Sequence, residues 1–329
     1  MIALDPDDPF RVALGPTDEL TIDAPDPDPD AEPEAMVVQL ETGDRVHYLD
    51  WTSTNASGAG PPLLLLHGIA QTAWSWTAVA RRLARDACVV APDMRGHGLS
   101  DAARSGYDLE SLAWDALTVA AANRWGEAVN GPRVVVAGHG FGGLVAATMA
   151  IVQPGSIAGV LLLDGGFENV PQATGLSPTE FVAGLAEPPE VLASLSAFLA
   201  DRRDFDPGTW DADQDRAARS QVDVKHAGHV ALVSRAAAIK GVVDAMFAYD
   251  PLGTLSQVAA PLTIVVAESG AADDETTRER SLAIEDVARA RRAAGQPVER
   301  IVRVIGAGHN LMRYRPRTVA AELARLLKD

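Results

Sequence analysis

Residues 134–143 read VVVAGHGFGG. Val134 to Ala137 form a short continuous apolar run without alternation, the pattern of a strand covered on both faces. Glycines at 138, 140, 142 and 143 permit a turn too tight for larger residues, and Phe141 to Val152 then reads as a helix stopped by Gln153-Pro154. A buried strand that turns directly into a helix is the opening of a βαβ unit.

Working outward, the same alternation recurs. PLLLL (62–66), ACVVA (87–91), RVVVA (133–137) and GVLLL (159–163) are all short apolar runs, with helical stretches at 73–85, 112–128 and 141–152 between them. Upstream, MVVQLETGDRVHYLDWT alternates on both sides of Thr42-Gly43-Asp44, a hairpin signal. The rhythm breaks after Leu163, and the next strand, LTIVV, starts only at 262. A structureless loop of that length is improbable in a compact domain, so the segment is expected to be a helical lid, with SAFLADRRD and HVALVSRAAAIKGVVDAMFAY as its clearest helices. A helix at 278–294, the strand RIVRVI and a helix at 316–327 complete the chain. The expected fold is α/β, a doubly wound, mostly parallel eight-stranded sheet with a helical lid insertion. The expected division is an acidic arm (1–35), core (36–163), lid (164–260) and core again (261–329).

The 329 residues are 47% hydrophobic and carry a net charge of −17. That balance gives a soluble chain with ample core material and argues against a nucleic-acid surface, which needs clustered Lys and Arg. No run of about 18 apolar residues and no basic-then-apolar leader is visible, so no membrane partner is expected and the cytoplasm is the expected location. Cys88, the single cysteine, lies inside ACVVA and reads as a buried structural thiol. Residues 1–35 hold eleven acidic side chains against Arg11 alone. The segment DAPDPDPDAEPE within them cannot build a regular element, because its prolines remove donors and its charges repel. An extended or loosely docked arm follows, with FRVAL able to pin part of it to the body.

Five motifs, LLLLHGIAQTAWSW, APDMRGHGLSD, VVVAGHGFGG, YDPLGTL and GAGHNLMRYRP, stand in the order and spacing of the α/β-hydrolase superfamily. From residue 36 onward the chain resembles a lid-bearing member of it. The resemblance implies a G-x-S-x-G turn that lifts a nucleophilic serine to the rim of the sheet. In Gly138-His139-Gly140-Phe141-Gly142 that slot holds Gly140, which keeps the turn and lacks the nucleophile. It also implies an oxyanion hole from the amides of Ile69 and Phe141, and a base at His309. His67 reads as a loop-shaping residue. The orienting acid departs from the pattern, because the usual slot falls on Ser269 or Gly270. Asp274 or Asp273 is the first expectation, Glu268 a fallback, and Asp164 or Glu168 the alternative if the acid follows the sixth strand. Trp74, Trp76 and His139 are expected to line a substrate pocket. His226 and His229, three apart in an expected helix, would be a metal pair only with further ligands nearby, so neither metal nor cofactor is expected.

Three functions are compatible with a glycine apex. One is a hydrolase of small, hydrophobic esters or lactones whose serine has been exchanged for glycine. A second is catalysis without a protein nucleophile, as in a lyase, decarboxylase or cofactor-independent oxygenase with His309 as base. The third is a small-molecule-binding protein that does no chemistry.

Overall fold

The computed structural model describes residues 10–54, 60–126, 131–225, 228–270, 274–297 and 299–328. Among these, eleven strands are formed: β1 (Arg11–Leu14), β2 (Glu34–Gln39), β3 (Arg45–Asp50), β4 (Pro62–Leu66), β5 (Cys88–Pro92), β6 (Val134–His139), β7 (Ile157–Leu163), β8 (Val222–Val224), β9 (Val230–Leu232), β10 (Leu262–Glu268) and β11 (Arg300–Ile305). Nine of them make one sheet in the order β1-β11-β10-β7-β6-β4-β5-β3-β2, and β8 and β9 pair separately. The pairs from β1 across to β5 are parallel, whereas β3 runs antiparallel to both β5 and β2.

The continuous apolar runs are explained by what covers each face. Along β4, Leu64 and Leu66 join one apolar cluster with Phe141, Val145 and Met149, while Leu63 and Leu65 join the other with Trp76, Val79 and Leu323. Side chains alternate across a strand, so a sheet covered by helices on both faces needs apolar residues at every position. The helix Phe141–Val152 is buried from Phe141 through Ala150, which is why its sequence shows no polar stripe. Cys88 is buried in the same core.

The sheet has nine strands rather than the eight expected, because part of the arm joins it. β1 pairs in parallel with β11, and Arg11 closes the edge with a 2.7 Å ion pair to Glu299. Beyond β1 the arm is docked by polar contacts. The carboxylate of Glu19 accepts from the amides of Arg317 (2.7 Å) and Thr318 (3.0 Å), capping the helix Pro316–Leu326 from outside it. Arg82 donates to the carbonyl of Pro25 at 3.0 Å, and Arg85 to Asp28 at 3.0 Å. Like charges that repel in an isolated peptide thus meet a row of arginines.

The segment between β7 and β10 is mostly short helices, but the stretch expected to be one long helix is not. Val230–Leu232 is a strand of the small hairpin, and the helix begins at Ala236. His229 is accordingly an exposed hairpin residue, whose carbonyl accepts from the amide of Lys225 at 2.7 Å, and not a helical one. Its proposed partner His226 lies outside the described residues. No described helix is long and apolar enough to cross a membrane.

Candidate active site

The site is built at the carboxyl ends of β4, β6 and β7 and on the loop after β11, the rim where parallel sheets present ligands. At the end of β6 the chain reverses through Gly140, with φ +52° and ψ −116°, and enters the helix at Phe141. A side chain there is strained by about 1–3 kcal/mol, which glycine avoids. The turn is tight on its own scale as well: a Cβ on Gly138 would stand 2.0 Å from the carbonyl oxygen of Gly142. A Cβ on Gly140 would point at His309, 3.2 Å from Nε2 and 3.4 Å from Cε1.

His309 Nδ1 lies 2.7 Å from Asp164 Oδ2. Asp164 is buried. Burial would raise its pKa, but the hydrogen bond from His309 and the charge of Arg280 outweigh that and hold it below the usual carboxylate range. An ionised carboxylate only accepts, so Nδ1 donates to Asp164 and Nε2 is the ring nitrogen left facing Gly140. The imidazole is 59% exposed, which leaves Nε2 reachable from solvent.

The carboxylate that the structure places against His309 is Asp164 after β7, where Asp274 was the first expectation. Asp274 is occupied elsewhere. Its carboxylate accepts from the Thr276 amide (3.1 Å), the Thr277 hydroxyl (2.8 Å) and the Ser269 hydroxyl (2.6 Å), capping the helix Glu275–Ala293. Glu268 pairs with Arg303. Asp273 lies outside the described residues. Asp164 has φ +51°, its amide bonds to the Val265 carbonyl at 2.8 Å, and its Oδ1 accepts from the Ala267 amide at 2.7 Å. It spans β7 and β10. The sequence signal was the Gly165 that follows: a Cβ there would stand 2.6 Å from the Cα of Gly140, so the acid's turn packs directly on the elbow.

The loop after β4 packs beside the elbow: a Cβ on Gly68 would stand 2.7 Å from His139 Nδ1. Ile69 is followed by Ala70 at φ +60°, and the Ile69 amide has no backbone hydrogen bond among the described residues. Phe141 opens its helix, where an amide has no intrahelical acceptor and the dipole favours negative charge. Of the three non-glycine residues with positive φ among those described, Ala70 and Asp164 both flank this site. His67 is buried, donates from Nδ1 to the Gly68 carbonyl (2.7 Å) and accepts the Met94 amide at Nε2 (2.9 Å), so it shapes the loop. Gln71 was not anticipated: its Oε1 accepts from the Gly68 amide (3.1 Å) and its Nε2 donates to Asn310 (2.7 Å), tying this loop to that of His309.

Of the three expected pocket residues, only His139 is at the site. Its ring lies 4.4 Å from that of His309 and its Nε2 donates to the His309 carbonyl at 3.0 Å. Burial, then repulsion by His309, pushes its pKa down to about 3, so it is a neutral prop. Trp76 is wholly buried in the core beneath, and Trp74 packs on the same cluster with Arg216 stacked on its outer face. Neither lines the cavity of about 200 Å³ beside the site, whose walls include Ile69, Gln71, Gln214, Gln221, Asn310 and Arg313. A larger groove of about 770 Å³, along the helix Leu109–Ala122, shares no residue with the site.

The family model described as "Alpha/beta hydrolase family" matches residues 63–322. The chain belongs to that family. The soluble epoxide hydrolase of Corynebacterium sp. (strain C12) is 33% identical over 122 residues, which is 37% of this chain and 38% of that protein. An uncharacterized protein of Mycobacterium tuberculosis (strain ATCC 25618 / H37Rv) is 34% identical over 113 residues, 33% of this chain and 30% of the relative. The matched part thus spans about a third of these curated relatives. Among solved structures, E-2-(acetamidomethylene)succinate hydrolase superposes with a TM-score of 0.71 at 21% identity, covering 90% of this chain and all of that one. That likeness is one of fold. The family is of a hydrolase type, and in this chain the turn from β6 into its helix is made at Gly140.

Proposed function

We propose that this alpha/beta hydrolase cleaves a small ester or lactone by direct attack of water, with His309 as general base and Asp164 as its orienting acid. The observation that carries the reading is the aim of His309: Nδ1 is held 2.7 Å from Asp164, and Nε2 faces the bare backbone of Gly140, 3.2 Å from where a Cβ would stand. A water hydrogen-bonded to Nε2 there stands about where a serine oxygen would. As it attacks the carbonyl carbon, its proton passes to Nε2 and the negative charge collects on the carbonyl oxygen, which the Ile69 and Phe141 amides receive. Collapse breaks the bond to the leaving oxygen, which takes the proton back from His309. The products are an acid and an alcohol, with no covalent enzyme intermediate.

The neighbouring cavity of about 200 Å³ borders the site at Ile69 and Asn310 and would suit a small substrate; its walls mix side-chain amides with apolar residues. The test is turnover of p-nitrophenyl acetate and of a small lactone by the chain and by His309→Ala, run in H₂¹⁸O. Expected is activity lost in the variant and one labelled oxygen in the released acid. Turnover equal in both proteins, or none in either at high protein concentration, overturns the reading.

A further inference from the structure

Glu168, five residues after the last residue of β7, and Arg280, inside the helix Glu275–Ala293, have no part in the chemistry described so far. They nevertheless form one chain with it. Arg280 Nη2 lies 2.8 Å from Asp164 Oδ1 and 3.2 Å from Glu168 Oε2. Its Nη1 donates to the Ala267 carbonyl at 3.2 Å, and its guanidinium stacks 5.2 Å over the ring of Phe167. The Asp164 side chain is 2% exposed and that of Arg280 14%, so water screens this pair poorly.

An arginine on the acid of an acid–base pair has two opposing effects. Its fork, together with the Ala267 amide, fixes Oδ1 and so fixes which oxygen, Oδ2, is offered to His309. Its charge, however, cancels that of Asp164 and removes the attraction that stabilises a protonated imidazole. The second carboxylate restores the balance: with Glu168 ionised, Asp164, Glu168 and Arg280 together carry one negative charge. The other ionisable groups around them add little. His139, against the far face of His309, is neutral through burial, and Glu268 and Arg303, at the end of β10, neutralise each other.

We propose that Arg280 and Glu168 are positioning residues of the His309 base, Arg280 locking the Asp164 carboxylate in place and Glu168 returning the negative charge that Arg280 removes. This rests on reading His309 as the base. Glu168 is itself raised above the ordinary glutamate range by burial, which Arg280 offsets only in part, so its contribution fades as the pH is lowered.

The test needs no substrate, so it stands apart from the assay of hydrolysis. The His309 titration is followed by NMR of histidine-labelled protein, its signal assigned by loss in His309→Asn. Glu168→Gln removes the negative charge that Glu168 holds 3.2 Å from Arg280 and is expected to lower the His309 midpoint. Arg280→Met is expected to raise it, and Arg280→Lys, which keeps the charge, to leave it near that of the unaltered chain. Glu168→Gln is nearly isosteric and keeps the proposal testable if Arg280→Met fails to fold. A midpoint unmoved by Glu168→Gln, or shifts of the same sign in Glu168→Gln and Arg280→Met, overturns the proposal. If turnover fails but these shifts appear, the electrostatic arrangement stands and the hydrolysis reading falls.

Discussion

Replacing Gly140 by serine tests the site from the opposite direction, because it adds the group that the elbow is shaped to carry. Two quantities follow from the geometry. First, φ +52° with ψ −116° is outside the regions open to a side chain, so the fold should lose about 1–3 kcal/mol. The new Cβ would also stand 3.2 Å from His309 Nε2, a tight contact, but His309 is 59% exposed on a loop and can yield by a few tenths of an ångström. Second, the added hydroxyl falls within reach of His309, which Asp164 holds at Nδ1, and on the proposed reading beside the amides of Ile69 and Phe141. Loss of the serine from such a triad costs on the order of 10⁶ in kcat, and the remaining groups supply about 10³–10⁴ over water. Allowing for imperfect fit, Gly140→Ser should gain about 10²–10⁴-fold on p-nitrophenyl acetate, or about 2.7–5.5 kcal/mol in the barrier. The assay combines burst kinetics, mass spectrometry after a fluorophosphonate probe, and a thermal melt. A folded Gly140→Ser protein that shows neither burst nor labelling would mean that His309 and the two amides do not converge on the apex, and the reasoning fails.

Asp164→Asn should lower His309-dependent turnover by about 10³–10⁴-fold through the wrong imidazole tautomer, whereas Asp274→Asn should leave turnover unchanged and cost only about 1 kcal/mol of helix capping. Steady-state kinetics and melts on both variants distinguish the two acids, and the reverse pattern would return the role to Asp274. His97 and His139 are both pushed down to about 3, first of all by burial, against 6.5 ordinarily. Between those values the unfolded chain binds protons that the folded chain refuses, so their effect is absent above pH 6.5 and stability falls as the pH is lowered, by about 1.4 kcal/mol per pH unit for each. Urea melts at pH 7 and 5 check this, and a midpoint unchanged between them contradicts it. Glu19→Ala removes the external cap of the helix Pro316–Leu326 and should cost about 1 kcal/mol, more at low salt than at high. A melt that does not respond to the substitution would show the arm to be an ornament on that helix.

The short apolar runs at β4 to β7 and β10, the helix limits at Phe141 and Val152, and the hairpin at Thr42-Gly43-Asp44 were legible in the sequence. They are local: strand, helix and turn are each selected by what a few neighbouring residues can bury or bond, and periodicity records that choice. Gly140 and His309 were picked out instead by resemblance to the family's motifs, and the structure brings them together. The strand Val230–Leu232 was misread because a short apolar run fits either period, and only its pairing with Val222–Val224 decides it.

The acid could not be read in this way. Asp274 and Asp164 both sit just beyond strands, and nothing local says which carboxylate caps its own helix and which crosses to a histidine 145 residues away. Nor does the sequence show that Glu168 and Arg280 share an ion pair, that Trp76 faces the core, or that an acidic arm finds a row of arginines. Charge and hydrogen bonds act through space over a few ångströms, so their partners exist only once the sheet has brought distant strand ends together. Composition and spacing were enough for the scaffold; which side chains meet on its rim was a decision of the folded chain.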